Sequence, residues 1–416
     1  MAHTGKLLWA IVAGVVLGVA AGAWFGPAML GVEWIGQLFL NALSATIIPL
    51  IVAAVITGVS SLGDVRRLGG LGGLTVAYYA CTTGIAVALG LLVVNLIEPG
   101  SRIGALAAEL PAEIGEREVT SMSDIALIAV QPNLIGAAAE NQLLPIIVFA
   151  LVFAAALTTV GPAGRPVLAF FEGLNEVMMK IVIWIMYTAP VGIFALIAAR
   201  FGRAGGGAEF LAELSSVGAY VATVLIGLGL HFLVLLTILV LLARRGKGYL
   251  VGMMRALLTA FGTASSSATL PLTMECALEN GVNKKSVRFV LPLGATVNMD
   301  GTALYEAIAV MFIAQAYGLE MSAVEQMVIF VTATLAAVGA AGVPQAGLVT
   351  MLIVLNAVDL PREGIALLLA VDWFLDRFRT MVNVWGDSVG AAVIGRVIDR
   401  VEPGAAGADE SASAAP

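Results

Sequence analysis

The segment DWFLDRFRTMVNVWGDS, residues 372–388, holds five charged side chains in a chain of 416 residues that is 60% hydrophobic and only 12% charged. It directly follows the apolar run IALLLAV, where a membrane-spanning helix is expected. At about 100° per residue on an α-helix, six of its polar side chains fall within an arc of about 100°. Arg377 points away from that arc. The resulting polar stripe consists of Asp372, Asp376, Arg379, Thr380, Asn383 and Asp387.

Charges in this segment are expensive in a bilayer, at about 3 kcal/mol each on insertion scales and roughly 15 kcal/mol for all five if they were unpaired. The stripe must therefore line a polar cavity or pair internally. A structural salt-bridge network between helices is the simpler alternative. Asn383, Thr380 and the extra carboxylates exceed what pairing requires, so we predict that the stripe binds a ligand. An Arg suits a carboxylate, an Asp suits an ammonium, and Asp or Asn oxygens suit a hard cation such as sodium.

The rest of the chain is typical of polytopic membrane proteins. Apolar runs near the length of about 20 residues that a spanning helix needs recur from residue 7 to residue 395. The first run is interpreted as a transmembrane helix rather than a signal peptide, because it is long and continues into further membrane sequence. Basic clusters at 66–67, 244–247 and 284–288 predict a cytoplasmic side, and four Glu within 101–118 predict an external segment. The net charge of −7 gives no case for nucleic-acid binding.

Two segments predict re-entrant hairpins. TAFGTASSSATLPLT (259–273) and AAVGAAGVPQAGLVT (336–350) each place tiny residues and a Pro between two short apolar arms. Irregular backbone at that depth survives only where protein or a water-filled cavity satisfies it. Small residues also serve helix–helix packing. Two such segments, each followed by a polar-rich helix, instead predict an inverted repeat of the kind found in transporters.

A helix break is predicted within LPLGATVNMDGTALYEA, residues 291–307. Gly294 and Gly301 flank a polar cluster, and carbonyls freed by the break could coordinate a cation. Asn298 and Glu306 share one helical face, whereas Asp300 points elsewhere. We expect Asp300 to serve a different ion site or to pair with another helix. His231, in an apolar helix, is interpreted as a packed or lipid-facing residue rather than a ligand.

These motifs resemble those of the dicarboxylate/amino acid:cation symporters, which include the excitatory amino acid transporters and the archaeal aspartate transporters. The matching segments are ASSSATLP, NMDGTALYE, AAGVPQAG and DWFLDRFRTMVNVWGDS, in that order between about residues 245 and 397, with YYACTT (78–83) as a looser match. The resemblance implies an all-α polytopic membrane protein with eight transmembrane helices, two re-entrant helical hairpins and inverted repeats. It also implies a homotrimer that moves its substrate by an elevator motion.

The same resemblance implies a division of the chain into a scaffold and a transport domain. Scaffold helices would occupy residues 1–68 (helices 1 and 2) and 121–205 (helices 4 and 5). The transport domain would take helix 3 and an external loop (69–120), helix 6 (206–246) and a core of both hairpins with helices 7 and 8 (247–401). Residues 402–416 are predicted to be a disordered tail.

Substrate contacts are carried over position by position from the resemblance. Asp376 would bind the amino group of the substrate, Arg379 its side-chain carboxylate, and Asn383 its main-chain end. Residues of the two hairpin tips would close the site, two of them through backbone atoms. The implied substrate-binding residues are Ser266, Ser267, Thr302, Val343, Gly347, Asp376, Arg379, Thr380 and Asn383.

Sodium ligands follow from the same resemblance, in three groups that supply oxygen atoms. One site would use Gly294, Asn298, Asn383 and Asp387. A second would use Tyr79, Thr82, Thr83, Asn298 and Asp300. A third would use Thr296 with backbone carbonyls around Ala337, Val338 and Ala340.

Two positions separate the substrate classes within this family. Relatives for neutral amino acids have a small residue where Arg379 stands, and relatives for C4-dicarboxylates lack the carboxylate of Asp376. Because this chain has both charges, an acidic amino acid, L-aspartate or L-glutamate, is the expected substrate. A neutral amino acid or C4-dicarboxylate carrier is the alternative. An enzyme is not expected, since the chain has no HExxH, Cys–His or GxSxG pattern, and an ion channel would not explain the paired Asp and Arg.

The chain departs from the archaeal aspartate transporters at two positions and resembles the animal glutamate transporters there. Ala264 stands where the archaeal proteins have an Arg, while Arg377 lies in the last helix, and Glu306 replaces a Gln. Glu306 is therefore a candidate proton carrier, which predicts proton-coupled uptake with potassium counter-transport as an extension. Permanent pairing of Glu306 with Arg377 is the alternative. The missing external insertion and the short chain predict a prokaryotic inner-membrane protein. The positions of the basic clusters agree with a cytoplasmic N-terminus, and we expect both termini in the cytoplasm.

Overall fold

The computed structural model describes residues 2–60, 69–101, 127, 129–140, 142–203, 208–338 and 346–401. Every regular element within these ranges is helical, which confirms the predicted fold class. Several predictions concern positions outside the described residues. They are the basic pair at 66–67, nearly all of the acidic segment 101–118, Ala340, Val343 and the tail from residue 402.

The first half of the chain consists mainly of long apolar helices. A 3₁₀ segment, Gly26–Val32, joins α1 to α2, and a π-helical turn, Leu239–Ala243, ends α7. The helices are α1 (Ala2–Phe25), α2 (Glu33–Ser60), α3 (Gly69–Ile97), α4 (Leu134–Ala139), α5 (Leu143–Thr159), α6 (Arg165–Arg203) and α7 (Ala208–Ile238).

The second half contains the two predicted hairpins. In the first, α8 (Lys247–Thr263) and α9 (Ser266–Glu279) are separated by two residues and pack against each other. Ala264 takes a left-handed conformation with φ of 49°, and Ser265 caps α9 by accepting a hydrogen bond from the N–H of Ala268. In the second, α12 (Ala323–Val338) packs against α13 (Ala346–Ala357). All four arms are shorter than the span of about 20 residues, as predicted.

The predicted helix break is also present. α10 (Lys284–Val297) ends at an extended Asn298, and α11 (Asp300–Ala316) begins after Met299. α11 is almost completely buried and is the central element of the second half. The chain then ends in α14 (Ile365–Val401), which carries the polar stripe and packs against α7, α8, α10 and α11.

Helix packing falls into two groups. α1 and α2 each pack closely on α6, whereas α3 packs mainly on α11, and α7 packs on α14. Gly14 permits the close approach of α1 to α6, because a Cβ there would collide with the carbonyl of Pro190. Among the residues that the structure describes, five segments are long and apolar enough to span a membrane: Trp9–Ser60, Gly72–Ile97, Gly161–Arg203, Ser215–Ala243 and Lys284–Ala316.

Candidate functional site

The polar stripe of α14 faces the interior of the protein. All six of its members are buried, and Arg379 has no exposed surface. Nη2 of Arg379 lies 2.9 Å from Oδ1 of Asp376 and 3.0 Å from Oδ1 of Asp372. The guanidinium is therefore paired at one nitrogen, and the pairing lies within α14 rather than between helices as the simpler alternative requires.

The rest of the Arg379 guanidinium is open to a further acceptor. Nε and Nη1 make no hydrogen bond to any described residue. Cζ lies over the ring of Tyr305, 3.9 Å from the ring centroid. Nη1 borders the second hairpin, since a Cβ on Gly347 would lie only 2.5 Å from it. The guanidinium is thus held at one nitrogen and one face, and its remaining N–H groups can donate to an anion.

Asn383 fastens α14 to the first turn of α11. Its Oδ1 accepts a hydrogen bond from the N–H of Gly301 at 2.7 Å, and its Nδ2 donates to Oγ1 of Thr302 at 3.3 Å. Gly301 is required here because a Cβ would lie 2.7 Å from the carbonyl oxygen of Arg379. The amide of Asn383 therefore joins the stripe to the helix break.

The remaining predicted substrate contacts lie on α14 and at the hairpin tips. Thr380 and Ser266 are buried, and Ser267, at the start of α9, is exposed. Gly347 is buried against Arg379, whereas Val343 lies outside the described residues. The structure therefore brings Arg379, Gly347 and Asp376 together directly.

Four of the predicted cation ligands converge where α3 meets the helix break. Thr83 Oγ1 donates to Oδ1 of Asp300 at 2.7 Å. Thr82 Oγ1 lies 3.4 Å from the same oxygen and 3.5 Å from Oδ1 of Asn298. All four side chains are buried. An anionic, oxygen-rich cluster of this kind fits a hard cation such as sodium.

A second buried carboxylate lies on the other side of Asn298. Nδ2 of Asn298 donates to Oδ1 of this carboxylate, Asp387, at 3.0 Å. Asp387 and the hydroxyl of Tyr79 both approach the backbone of Gly294, where a Cβ would collide with either group. The Tyr79 hydroxyl donates to the carbonyl of Val290 at 2.8 Å. Tyr79, predicted for the second site, therefore also contacts the first.

Of the three predicted sodium sites, the third has the fewest ligands brought together among the described residues. Thr296 is exposed, and its hydroxyl donates to the carbonyl of Leu293 in its own helix at 3.0 Å. Ala337 is buried near the end of α12, which ends at Val338. Ala340 lies outside the described residues.

His231 is part of the cation cluster, which the sequence interpretation missed. It is fully buried on α7, so it is a packed residue, but its Nε2 lies 3.0 Å from Oδ2 of Asp300. The sequence predicted that Asp300 serves an ion site or pairs with another helix. In the structure Asp300 lies in the cation cluster and also pairs with α7. The available signal was an ionisable side chain within an apolar helix, which is a functional candidate by default.

Glu306 and Arg377 are not hydrogen-bonded to each other. Nη1 of Arg377 donates to the carbonyls of Phe261 and Gly262, at 3.1 and 2.9 Å, at the end of α8. Glu306 is fully buried on α11 near Thr350, and neither carboxylate oxygen makes a hydrogen bond of normal geometry to a described residue. Arg377 therefore binds the first hairpin and not Glu306 in this structure.

Comparison with known proteins agrees with this arrangement. A model of the sodium:dicarboxylate symporter family matches residues 7–397. The chain belongs to this family. The symporter is 40% identical to human Excitatory amino acid transporter 3, over 86% of this chain and 78% of the relative. It is 39% identical to rabbit Neutral amino acid transporter B(0), over 94% of this chain and 80% of the relative.

Membership of the family fixes the general activity. The symporter is an integral membrane transporter with sodium coupling and is not an enzyme. Its relatives include proteins named for excitatory and for neutral amino acids at nearly equal identity. The choice between these substrates therefore depends on the residues of the site.

Proposed function

We propose that this symporter carries L-aspartate or L-glutamate across the membrane together with sodium ions. The observation that supports this substrate class is the buried pair of Arg379 and Asp376, 2.9 Å apart. Nη1 of Arg379 has no hydrogen bond to a described residue, so it can donate to the side-chain carboxylate of the substrate. Asp376 lies beside the guanidinium and can accept from the ammonium group.

The alternative substrates fit these charges less well. A neutral amino acid would leave N–H groups of a buried guanidinium unpaired, which costs about 1–3 kcal/mol or more for a charged group. A C4-dicarboxylate would bring two negative charges to Arg379 without an ammonium to face Asp376 and Asp372. Burying an uncompensated charge is strongly unfavourable. Only a substrate with one positive and two negative groups satisfies both kinds of residue.

Coupling to sodium is supported by the contacts between the cation cluster and the substrate stripe. Asp300, in the cation cluster, begins α11, and the next N–H, that of Gly301, donates to Asn383 on the stripe. Asn298 bonds in turn to Asp387, one turn further along α14. A cation held by Asn298 and Asp300 would fix the helix break and, through Gly301, the position of Asn383. Sodium and substrate would therefore favour the same arrangement of α11 and α14.

Proton coupling through Glu306 is a further part of the proposal. The side chain is fully buried, and its carboxylate oxygens have no hydrogen bond of normal geometry to a described residue. Arg377, the cation suggested as its permanent partner, instead bonds to the first hairpin. Glu306 can therefore take up and release a proton without breaking an ion pair with Arg377. Potassium counter-transport is proposed as an extension of this cycle.

The proposed architecture is a homotrimer with a scaffold and a moving transport domain. Support comes from the two packing groups, α1, α2 and α6 on one side and α3, α7 and α8 to α14 on the other. Lipid and subunit contacts are proposed for large exposed side chains such as Trp24, Trp34 and Trp184. Both termini are proposed to lie in the cytoplasm of a prokaryotic cell. Native mass spectrometry and reporter fusions at each terminus would test these two points.

The substrate proposal is tested by uptake of labelled L-aspartate into liposomes that contain the purified symporter. Uptake would be compared with and without an inward sodium gradient, with excess L-glutamate, L-serine or succinate as competitors. We expect sodium-dependent uptake that L-glutamate inhibits and that L-serine and succinate do not. Sodium-dependent uptake of L-serine or succinate without uptake of L-aspartate would overturn the proposal. Stimulation by potassium inside the liposomes would extend it to potassium counter-transport.

A further inference from the structure

Arg379 has an aromatic neighbour that the proposed substrate contacts do not use. Cζ of the guanidinium lies over the ring of Tyr305, on α11, 3.9 Å from the ring centroid. Both side chains are fully buried. Cation–π attraction extends to about 6 Å and is strongest where water is excluded. This contact is therefore close to the strong limit for such an interaction.

The Tyr305 ring is itself held in place by other aromatic side chains. The ring of Tyr220 on α7 meets it edge-on, with the centroids 6.2 Å apart, and Phe312 packs on Tyr220 at 4.9 Å. The hydroxyls of Tyr305 and Tyr220 lie near each other, but neither makes a hydrogen bond of normal geometry to a described residue. Tyr305 therefore contributes to this group of packed aromatic side chains through its ring rather than through its hydroxyl.

The ring provides a restraint that the carboxylates cannot. Asp372 and Asp376 both bind Nη2, so they fix one corner of the guanidinium and leave its plane free to tilt about that nitrogen. A ring face against Cζ prevents the tilt. The plane then keeps Nη1 beside Gly347 of the second hairpin, where the proposed substrate carboxylate would arrive. Bidentate recognition of a carboxylate depends on such an orientation of the guanidinium plane.

We propose that Tyr305 is a specificity-determining positioning residue, whose ring sets the plane of Arg379 and thereby the affinity for a substrate carboxylate. The proposal rests on the proposed function, since it assigns the carboxylate of the substrate to Arg379. It requires the ring and not the hydroxyl. It also requires that loss of the ring weaken substrate binding while sodium binding at Asp300 and Asn298 stays the same.

The test compares four proteins: wild type, Tyr305→Phe, Tyr305→Leu and Tyr220→Leu. Binding of L-aspartate is measured by calorimetry on the purified full chain at saturating sodium. We expect Tyr305→Phe to stay within about threefold of wild type and Tyr305→Leu to bind roughly 10- to 30-fold more weakly. Tyr220→Leu removes a ring that packs on Tyr305 but does not itself lie over the guanidinium, and we expect a loss of about threefold, clearly smaller than in Tyr305→Leu.

A second measurement separates positioning from general damage. The rise in melting temperature on addition of sodium without substrate reports cation binding. We expect the same rise in all four proteins. An equal loss of L-aspartate affinity in Tyr305→Leu and Tyr220→Leu, a loss in Tyr305→Phe as large as in Tyr305→Leu, or a parallel loss of sodium stabilisation would overturn the proposal.

The wild-type protein tests the proposed function independently. If it binds succinate instead of L-aspartate, the proposed function fails, and the four proteins are titrated with succinate. The same ranking of variants would then still support the role of Tyr305, since Arg379 would still receive a carboxylate. If wild type binds only L-serine, both proposals fail, because no side-chain carboxylate reaches Arg379.

Discussion

Nε2 of His231 lies 3.0 Å from Oδ2 of Asp300, and both side chains are fully buried. An ionised carboxylate only accepts hydrogen bonds, so Nε2–H donates to Asp300. The other oxygen, Oδ1, faces the hydroxyls of Thr82 and Thr83. His231 therefore orients the carboxylate so that one oxygen binds α7 and the other belongs to the cation cluster.

We predict that His231→Ala lowers the apparent affinity for sodium, so that half-maximal uptake of substrate needs a higher sodium concentration. Loss of the N–H donor leaves Oδ2 of Asp300 without its partner and lets the carboxylate rotate away from Thr82 and Thr83. A lost bond to a buried charged group costs about 1–3 kcal/mol, which corresponds to roughly tenfold or more in apparent sodium affinity. The measurement is the sodium concentration that gives half-maximal uptake of L-aspartate.

Two variants control this prediction. His231→Gln keeps an N–H donor and should recover part of the sodium affinity. Leu230→Ala, at the adjacent exposed position of the same helix, should leave it unchanged. A sodium affinity in His231→Ala that equals or exceeds that of wild type would contradict the orienting role.

Gly347→Ala should weaken binding of acidic substrates. The added Cβ would lie 2.5 Å from Nη1 of Arg379, so either the second hairpin or the guanidinium must shift. We expect a loss of roughly tenfold in L-aspartate affinity, in line with the cost of about 1–3 kcal/mol for overpacking a buried site. Calorimetric titration at saturating sodium measures it.

The matched control for this change is Gly262→Ala in the first hairpin. A Cβ on Gly262 has no described atom within 4 Å, so its L-aspartate affinity should stay at the wild-type value. Equal affinities for Gly347→Ala and wild type would show that the second hairpin does not approach Arg379 in the substrate-bound protein.

Much of this arrangement could be predicted from the sequence where local physics leaves few alternatives. The five charges within residues 372–388 could not all face lipid, so the burial of Asp376 and Arg379 followed from their cost. Short arms around tiny residues predicted the hairpins, and the glycines around Asn298 predicted the helix break. Each of these inferences uses residues that are neighbours along the chain.

Contacts between distant helices could not be predicted in the same way. His231 and Asp300 are 69 positions apart, and no pattern in an apolar helix tells which side of it meets α11. The stacking of Tyr305 on Arg379 likewise depends on how α11 crosses α14. Arg377 lies off the polar stripe, as predicted, but only the packing of α8 against α14 reveals the carbonyls of Phe261 and Gly262 as its partners.

Glu306→Gln should remove the effect of an inward proton gradient on net uptake. Glutamine is close in size to glutamate but cannot carry a proton, so the fully buried position on α11 stays filled. We expect acidification outside the liposomes to stimulate uptake by wild type and to have no effect on the variant. Glu275→Gln, on the exposed face of the first hairpin, should respond like wild type. Unchanged stimulation in Glu306→Gln would exclude this residue as the proton carrier.

Arg377→Leu should loosen the tip of the first hairpin. The guanidinium binds the carbonyls of Phe261 and Gly262, which are among the unpaired acceptors at the end of α8, and a cation is favourable at a helix C-terminus. Hydrogen bonds to a charged group contribute about 1.5–3 kcal/mol, so we expect L-aspartate to dissociate roughly tenfold faster. Arg377→Lys keeps a cationic donor, so its L-aspartate dissociation rate should lie between those of wild type and Arg377→Leu. Arg255→Leu, which removes only exposed ion pairs from the same hairpin, should dissociate at the wild-type rate. Equal rates for Arg377→Leu and Arg255→Leu would mean that the Arg377 contact does not hold the tip closed over the substrate.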